Sequence, residues 1–201
     1  MSEFVKAAQN CDLNEVKRLL SINPGIINEK DREKDTAIMK ACRDCRAVNV
    51  VAFLLENGAN INDRDTIDQT PLIIAAFNGC TDIVKMLLDA GADIKHKNDQ
   101  GENALISATQ EGNIEVVKVL LDAGADVNQS NTDGETALEV AIRLRQKKEL
   151  IELLREKTND AMGIKKKVKR MKERMKERMK ERMKQKTKKK RRRKITIKKR
   201  R

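Results

Sequence analysis

The 201 residues include no tryptophan, no tyrosine, three phenylalanines, one histidine and two prolines. With so few rings there is no platform for stacking single-stranded bases, so any nucleic-acid contact has to be driven by phosphate charge and is nearly blind to sequence. No GxxxxGK loop, GxSxG elbow or HExxH helix occurs, and the one histidine forms no His–Cys pair in plausible register. No enzymatic activity, cofactor or metal is expected. Long apolar runs are missing too. No segment approaches the roughly 20 apolar residues of a membrane span, and the opening MSEFVKAAQNCDLNEVKRLL lacks the continuous apolar core of a signal peptide. These absences predict a soluble, intracellular protein, cytoplasmic or, in a eukaryote, nuclear.

Charge divides the chain in two. Residues 1–158 hold 20 Lys+Arg against 27 Asp+Glu, whereas residues 159–201 hold 24 against 4. A mildly acidic body therefore precedes a tail of net +20, and such a tail seeks an anionic partner.

The body repeats itself. TPLIIAAFNG at 70–79 and DIVKMLLDAGADI at 82–94 are echoed by NALISATQEG at 103–112 and IEVVKVLLDAGADV at 114–127. The pairs Leu87-Leu88 and Leu120-Leu121, and Gly91-Ala92 and Gly124-Ala125, are each 33 residues apart. Weaker copies flank this pair. The first has Ala7-Ala8, Val16, Leu19 and Leu20, with a turn at Asn23-Pro24-Gly25. The second runs from Thr36 through Ala41-Cys42, Val51 and Leu54-Leu55 to Gly58-Ala59, with one extra residue expected between Cys45 and Phe53. The fifth starts at Thr136 and lacks a closing Gly-Ala, as a terminal cap should. Small Ala positions let neighbouring helices approach, and the V-x-x-L-L positions give helix two an apolar face that only the next repeat can cover. Thr36, Thr70, Asn103 and Thr136 stand where a helix N-cap is needed. The Gly of each Gly-Ala pair is expected to end helix two in the left-handed region.

A period near 33 with a TPLxxAA start resembles the ankyrin repeat. The resemblance covers residues 1–157, in repeats of about 1–34, 35–68, 69–101, 102–134 and 135–157, and implies an all-α solenoid of helix-turn-helix units joined by short hairpin loops. Departures are local. The family's TPLH histidine is replaced by Met39, Ile73, Ile106 and Glu139, its proline survives only as Pro71, and Lys34 and Asp68 replace the hairpin glycine kept at Gly101 and Gly134.

The four cysteines follow the repeat register. Cys42-x-x-Cys45 has a zinc-ligand spacing but no second pair. Cys42 takes the second Ala position, while Cys11 and Cys45 take the place of Gly79 and Gly112. Equivalent positions in adjacent repeats lie about 8–10 Å apart, beyond the roughly 7 Å that a disulfide spans, so reduced, structural cysteines are expected. His96, at a hairpin tip, is read as exposed and without a role.

The resemblance also implies a concave groove, lined by hairpin tips and the outer side of helix one, that binds a partner protein. By register it comprises Arg43, Asp44, Ile67, Gln69, Phe77, Asn78, Asp99, Gln100, Glu102, Gln110, Glu111, Asp133, Glu135, Arg143 and Leu144. Phe77 beside Ile67 reads either as an outward anchor for a partner or as a ring packed sideways on Ile74. The acids Asp99, Glu102, Glu111, Asp133 and Glu135 read either as solubilising charge or as a surface for a basic peptide, with the chain's own tail one such peptide.

In the tail, residues 159–185 are predicted to be a basic helix capped by Asp160, with a weak point at Gly163 and the run RMKE-RMKE-RMKE-RMKQ at 170–185. Its Met stripe recurs every four residues and drifts around the helix, so it is no coiled-coil seam. Residues 186–201 are predicted to be disordered and polybasic. Three functions fit this tail beside an unused low-complexity expansion. The cluster Lys188, Lys189, Lys190, Arg191, Arg192, Arg193 and Lys194 resembles a nuclear localisation signal. The tail also suits RNA or DNA phosphates, or a membrane surface or calmodulin-like partner.

Overall fold

A row of paired short helices builds the chain. In order they are α1 (Glu3–Gln9), α2 (Leu13–Ile22), a 3-10 turn (Pro24–Ile26), α3 (Ala37–Ala41), α4 (Val48–Glu56), α5 (Pro71–Phe77), α6 (Thr81–Asp89), α7 (Ala104–Gln110), α8 (Ile114–Asp122) and α9 (Ala137–Arg143). Residues 148–159 are also helical. This computed structural model describes residues 2–159. The expectations for Asp160, Gly163, the rest of the basic helix and the 186–201 cluster lie outside the described residues.

Each helix is too short to persist alone in water, so packing must hold it. In α6 the sequence TDIVKMLLD buries Ile83, Val84 and Leu87 and turns Asp82, Lys85 and Asp89 outward. The first helix of each pair is enclosed more completely, and α5 buries every residue from Pro71 to Ala76. The enclosure comes from stacking. Helix one of each repeat lies on the next (α1 on α3, α3 on α5, α5 on α7, α7 on α9), and helix two does the same (α2 on α4, α4 on α6, α6 on α8). The result is two helical layers with a continuous core between them. No strand is present among the described residues, and one isolated antiparallel bridge joins Ser130 to Thr136.

The punctuation follows the register. Thr70, Asn103 and Thr136 each accept a hydrogen bond from the N–H three residues on. Thr36 has the same extended backbone but makes no side-chain cap bond, and its buried Oγ1 has no hydrogen-bond partner. Gly58, Gly91 and Gly124 have φ of 84°, 87° and 89°, the left-handed residue that closes helix two. At the hairpins Gly101 has φ 71°, and a Cβ there would lie 2.7 Å from the Thr132 nitrogen. Lys34 and Asp68 hold the equivalent place at φ 60° without being glycine, at a steric cost to the local backbone.

The cysteines differ from expectation. Cys45 and Cys80 form a disulfide, with Cα atoms 4.7 Å apart, while Cys11 and Cys42 are free. The spacing argument compared equivalent positions, and this pair is not equivalent. Ala47, the N-cap residue of α4, matches Cys80, the N-cap residue of α6. The extra residue of the second repeat therefore falls between Cys42 and Ala47. It shortens α3 to five residues, lengthens the turn after it, and carries Cys45 against the next repeat.

Candidate protein-binding face

The face formed by the hairpins and helix one is organised by one side chain per repeat. Asp31, Asp65, Asn98 and Asn131 each turn Oδ1 back to accept two N–H groups of their own loop: those of Glu33 and Asp35, Ile67 and Gln69, Gln100 and Glu102, and Asp133 and Glu135. Adjacent tips are tied through the backbone, with Thr66 N–H donating to Glu33 O, Asp99 to Ile67 O and Thr132 to Gln100 O. The loops thus form a regular row beside helix one.

Across that row runs a second pattern. In the second, fourth and fifth repeats the residue just before the helix-one N-cap pairs with the residue eight positions later. Arg43 donates to both carboxylate oxygens of Asp35 at 3.0 Å, Gln110 donates to Glu102, and Arg143 donates to Glu135 at 2.7 and 2.9 Å. The third repeat places Gln69 and Phe77 at these positions, and a phenyl ring can make no such bond. The polar ladder is interrupted there. Phe77 is 44% exposed and Ile67 46%, and both line a depression of about 440 Å³ together with Asp35, Arg43, Asp65, Gln69 and Asn78. Ile74 also lines it.

Beneath one wall lies an ion network that the sequence reading did not find. Lys40 is buried, and its Nζ lies 3.2 Å from Asp31, 2.8 Å from Glu33 and 2.7 Å from Asp35. Burial pulls the Lys40 pKa down, but the Asp35, Glu33 and Asp31 oxygens outweigh it and hold it above the ordinary lysine value. One oxygen from each acid falls within 4.8 Å of the others, a grouping that could bracket a divalent ion. The Lys40 ammonium already supplies the positive charge there. The missed signal is its register: Lys40 stands where Ile74, Ser107 and Val140 stand in the following repeats.

Of the residues assigned to the groove by register, Arg43, Ile67, Gln69, Phe77 and Asn78 come together around the depression. Asp44 does not join them. It pairs with Arg46 at 2.6 Å, and that contact together with the Arg46 N–H holds its carboxyl far below the usual range. At the other end Asp99, Gln100, Glu111, Asp133, Arg143 and Leu144 are exposed, while Glu102 and Gln110 are half-buried in their mutual bond. The Arg143 hydrogen bonds hold the Glu135 carboxyl below its ordinary value, so part of the acidity expected here is neutralised within the repeat. The expectation for His96 is corrected. Its side chain is only 10% exposed, and Nε2 lies 2.8 Å from the Asp68 carbonyl oxygen. It braces the neighbouring hairpin where the glycine is missing.

No helix among the described residues is long and apolar enough to cross a membrane. Tandem repeats of helix pairs, with a hairpin row on one side and a two-layer core, form the interaction scaffold of a family that typically binds other proteins and is typically not enzymatic. The family model described as ankyrin repeats (3 copies) matches residues 4–98 and 90–166, most of the chain, and the protein belongs to the ankyrin-repeat family.

Proposed function

We propose that this chain is a non-catalytic adaptor that docks a partner protein on its hairpin and helix-one face, with the Phe77–Ile67 depression as the anchor point. The observation that carries this reading is the break in the i,i+8 polar ladder at Gln69 and Phe77. In the second, fourth and fifth repeats the side chain at the end of helix one is engaged within its own repeat. Here an exposed ring and an exposed aliphatic side chain are left for a partner to cover. The depression's charged lining is Glu33, Asp35 and Asp65 against Arg43, so the fitting segment carries an apolar side chain beside a lysine or arginine. Residues 186–201 are one basic sequence to test, supplied as a free peptide. Partners recovered on the full chain after nuclease treatment should be lost, or weakened by roughly 30-fold or more, by Phe77→Ser, as for a central hot spot. Unchanged capture with an intact far-ultraviolet spectrum would remove the depression from the interface.

A second activity rests on a separate observation, the 24 basic residues against 4 acidic ones in 159–201. This tail binds polyanions, RNA or DNA backbone included, and the same charge serves localisation. On duplex DNA, log affinity should fall with log salt by about 0.9 per phosphate neutralised, with little change on scrambling the sequence. A salt-insensitive or strongly sequence-selective titration would contradict the electrostatic reading.

A further inference from the structure

The inter-helix turns of successive repeats are tied to one another at a fixed register position. In the fourth repeat Asn113 reaches back, its Nδ2 donating to the Phe77 carbonyl at 2.8 Å and to the Ala76 carbonyl at 3.1 Å. In the fifth repeat Gln146, 33 residues on, donates from Nε2 to the Gln110 carbonyl at 2.6 Å. The residue 33 positions before Asn113 is Cys80. Its reach-back to the preceding turn is the covalent bond to Cys45. Two junctions thus use an amide that no redox change can touch, and the junction between the second and third repeats uses a bond that a thiol can break. This is also the junction that frames the depression, which takes Arg43 and Asp35 from the second repeat and Phe77 and Asn78 from the third.

From this arrangement we infer that Cys45–Cys80 is a reversible thiol–disulfide site that clamps the turn carrying Phe77 and Asn78, so that a dithiol reductant loosens the docking depression. The link to docking rests on the function proposed above; the clamp itself does not. Cys45 is exposed and Cys80 is 2% exposed, so the accessible sulfur is Cys45 Sγ. A reductant thiolate attacks it, the S–S bond breaks, and Cys80 leaves as a thiolate that takes up a proton. The reductant's second thiolate then displaces Cys45 from the mixed disulfide. The reductant leaves as a disulfide, two electrons have passed to the protein, and both cysteines end as thiols. Oxidation by a disulfide of the same class runs the steps backward. Once open, nothing equivalent to the Asn113 amide remains between the second and third repeats, and the turn is held from the fourth repeat alone. Cys45 Sγ lies 3.6 Å from the Asn78 carbonyl oxygen, and a thiol is only a weak donor.

The other two cysteines do not compete in this chemistry. Cys42 is fully buried, and burial pushes its thiol pKa far up. The Cys11 thiol is also raised, by burial and then by Asp44. Both are thereby kept from the thiolate form that exchange requires.

The experiment uses the full chain, equilibrated with oxidised glutathione or with dithiothreitol. Thiols are counted under denaturing conditions, and amide exchange is read natively by mass spectrometry. Two thiols are expected after oxidation and four after reduction. Amides of the turn whose backbone bonds run from Asn78 to Ile74, Gly79 to Ala76 and Cys80 to Ala75 should exchange at least tenfold faster in the reduced form. The Gly112–Asn113 turn should change little. Cys45→Ser should exchange fast in both buffers, whereas Phe77→Ser should keep the redox response, so loss of docking and loss of the clamp are read separately. Four thiols after oxidation, or unchanged exchange at 78–80 despite release of two thiols, would overturn the inference.

Discussion

Lys40→Met should destabilise the chain by about 3–5 kcal/mol at pH 7, the usual penalty for removing one partner of a buried ion group. Lys40 and Asp31 have side chains 6% and 3% exposed, and Asp35 is 1% exposed. Methionine matches much of the lysine stem but leaves Asp31 buried without its cation and Asp35 with Arg43 alone. Loss of that size is a large share of the 5–15 kcal/mol by which domains are stable. Glu33, 70% exposed, can turn to solvent and adds little. The pH dependence gives an independent check. Burial raises the Asp31 pKa, but the Lys40 ammonium and the N–H groups of Asp35 and Glu33 outweigh it, and the carboxyl ends below its ordinary value. A carboxylate held low contributes stability that is present above its unfolded pKa, about 3.9, and is lost as pH falls through the lower folded value. Lys40, held high, contributes stability that is complete below about pH 10.4 and lost only as pH rises through its folded value. Wild type should therefore be flat from about pH 5 to 8, weaken in acid, and weaken again above about pH 8.5, where the unfolded chain releases the Cys42 proton that burial retains in the fold. In Lys40→Met the burial that raises the Asp31 pKa is no longer offset by the ammonium, so Asp31 gains by taking up a proton and the deficit should shrink from pH 7 toward pH 4. Urea unfolding at both pH values tests this, and a loss under about 1 kcal/mol at pH 7 would show the network to be dispensable.

Reducing the Cys45–Cys80 bond should lower stability by about 3.5–4 kcal/mol, the chain-entropy value for a closed loop of this size. The bonded residues are 35 apart in sequence, enough to span a whole repeat. Freeing them enlarges the unfolded ensemble while the helix-on-helix core remains. With an m-value near 2 kcal/mol/M the urea midpoint should fall by about 2 M on adding dithiothreitol. Cys45→Ser should reproduce the reduced midpoint and show no further shift with reductant. Identical midpoints with and without reductant, in a sample whose thiols titrate as expected, would show that the cross-link does not constrain the unfolded chain.

Much of the fold was legible in the primary structure because solenoid packing is local and periodic. Ala75-Ala76, Val84, Leu87 and Gly91 recur 33 residues on as Ala108, Val117, Leu120 and Gly124, interrupted only by Thr109. Each repeat must present the same small and apolar surfaces to its neighbour, so the chemistry recurs with the period. The i,i+8 ladder was in principle legible in the same way, since Asp35, Gln69, Glu102 and Glu135 share one register position and Arg43, Phe77, Gln110 and Arg143 another. Read singly, these residues were only a roll of exposed side chains. Their pairing, and its failure at Phe77, gains meaning once a hairpin and a helix end are known to face each other.

The sequence by itself determined the helix-pair repeat, the left-handed glycines, the small-residue contacts and the opposite charges of body and tail. Those properties depend on spacing and composition, and spacing in a solenoid maps directly onto neighbours. Tertiary structure alone decided the rest. One residue inserted between Cys42 and Ala47 shifts a turn by a single position, and that shift makes the difference between two distant thiols and a Cys45–Cys80 bond. Lys40 carries no assignment in the sequence, and three carboxylates from its own hairpin enclose it. His96 reads as exposed until the neighbouring loop closes over it. In each case the deciding contact comes from a loop whose path the repeat period does not specify, because hairpins and turns vary in length and conformation where the helices do not.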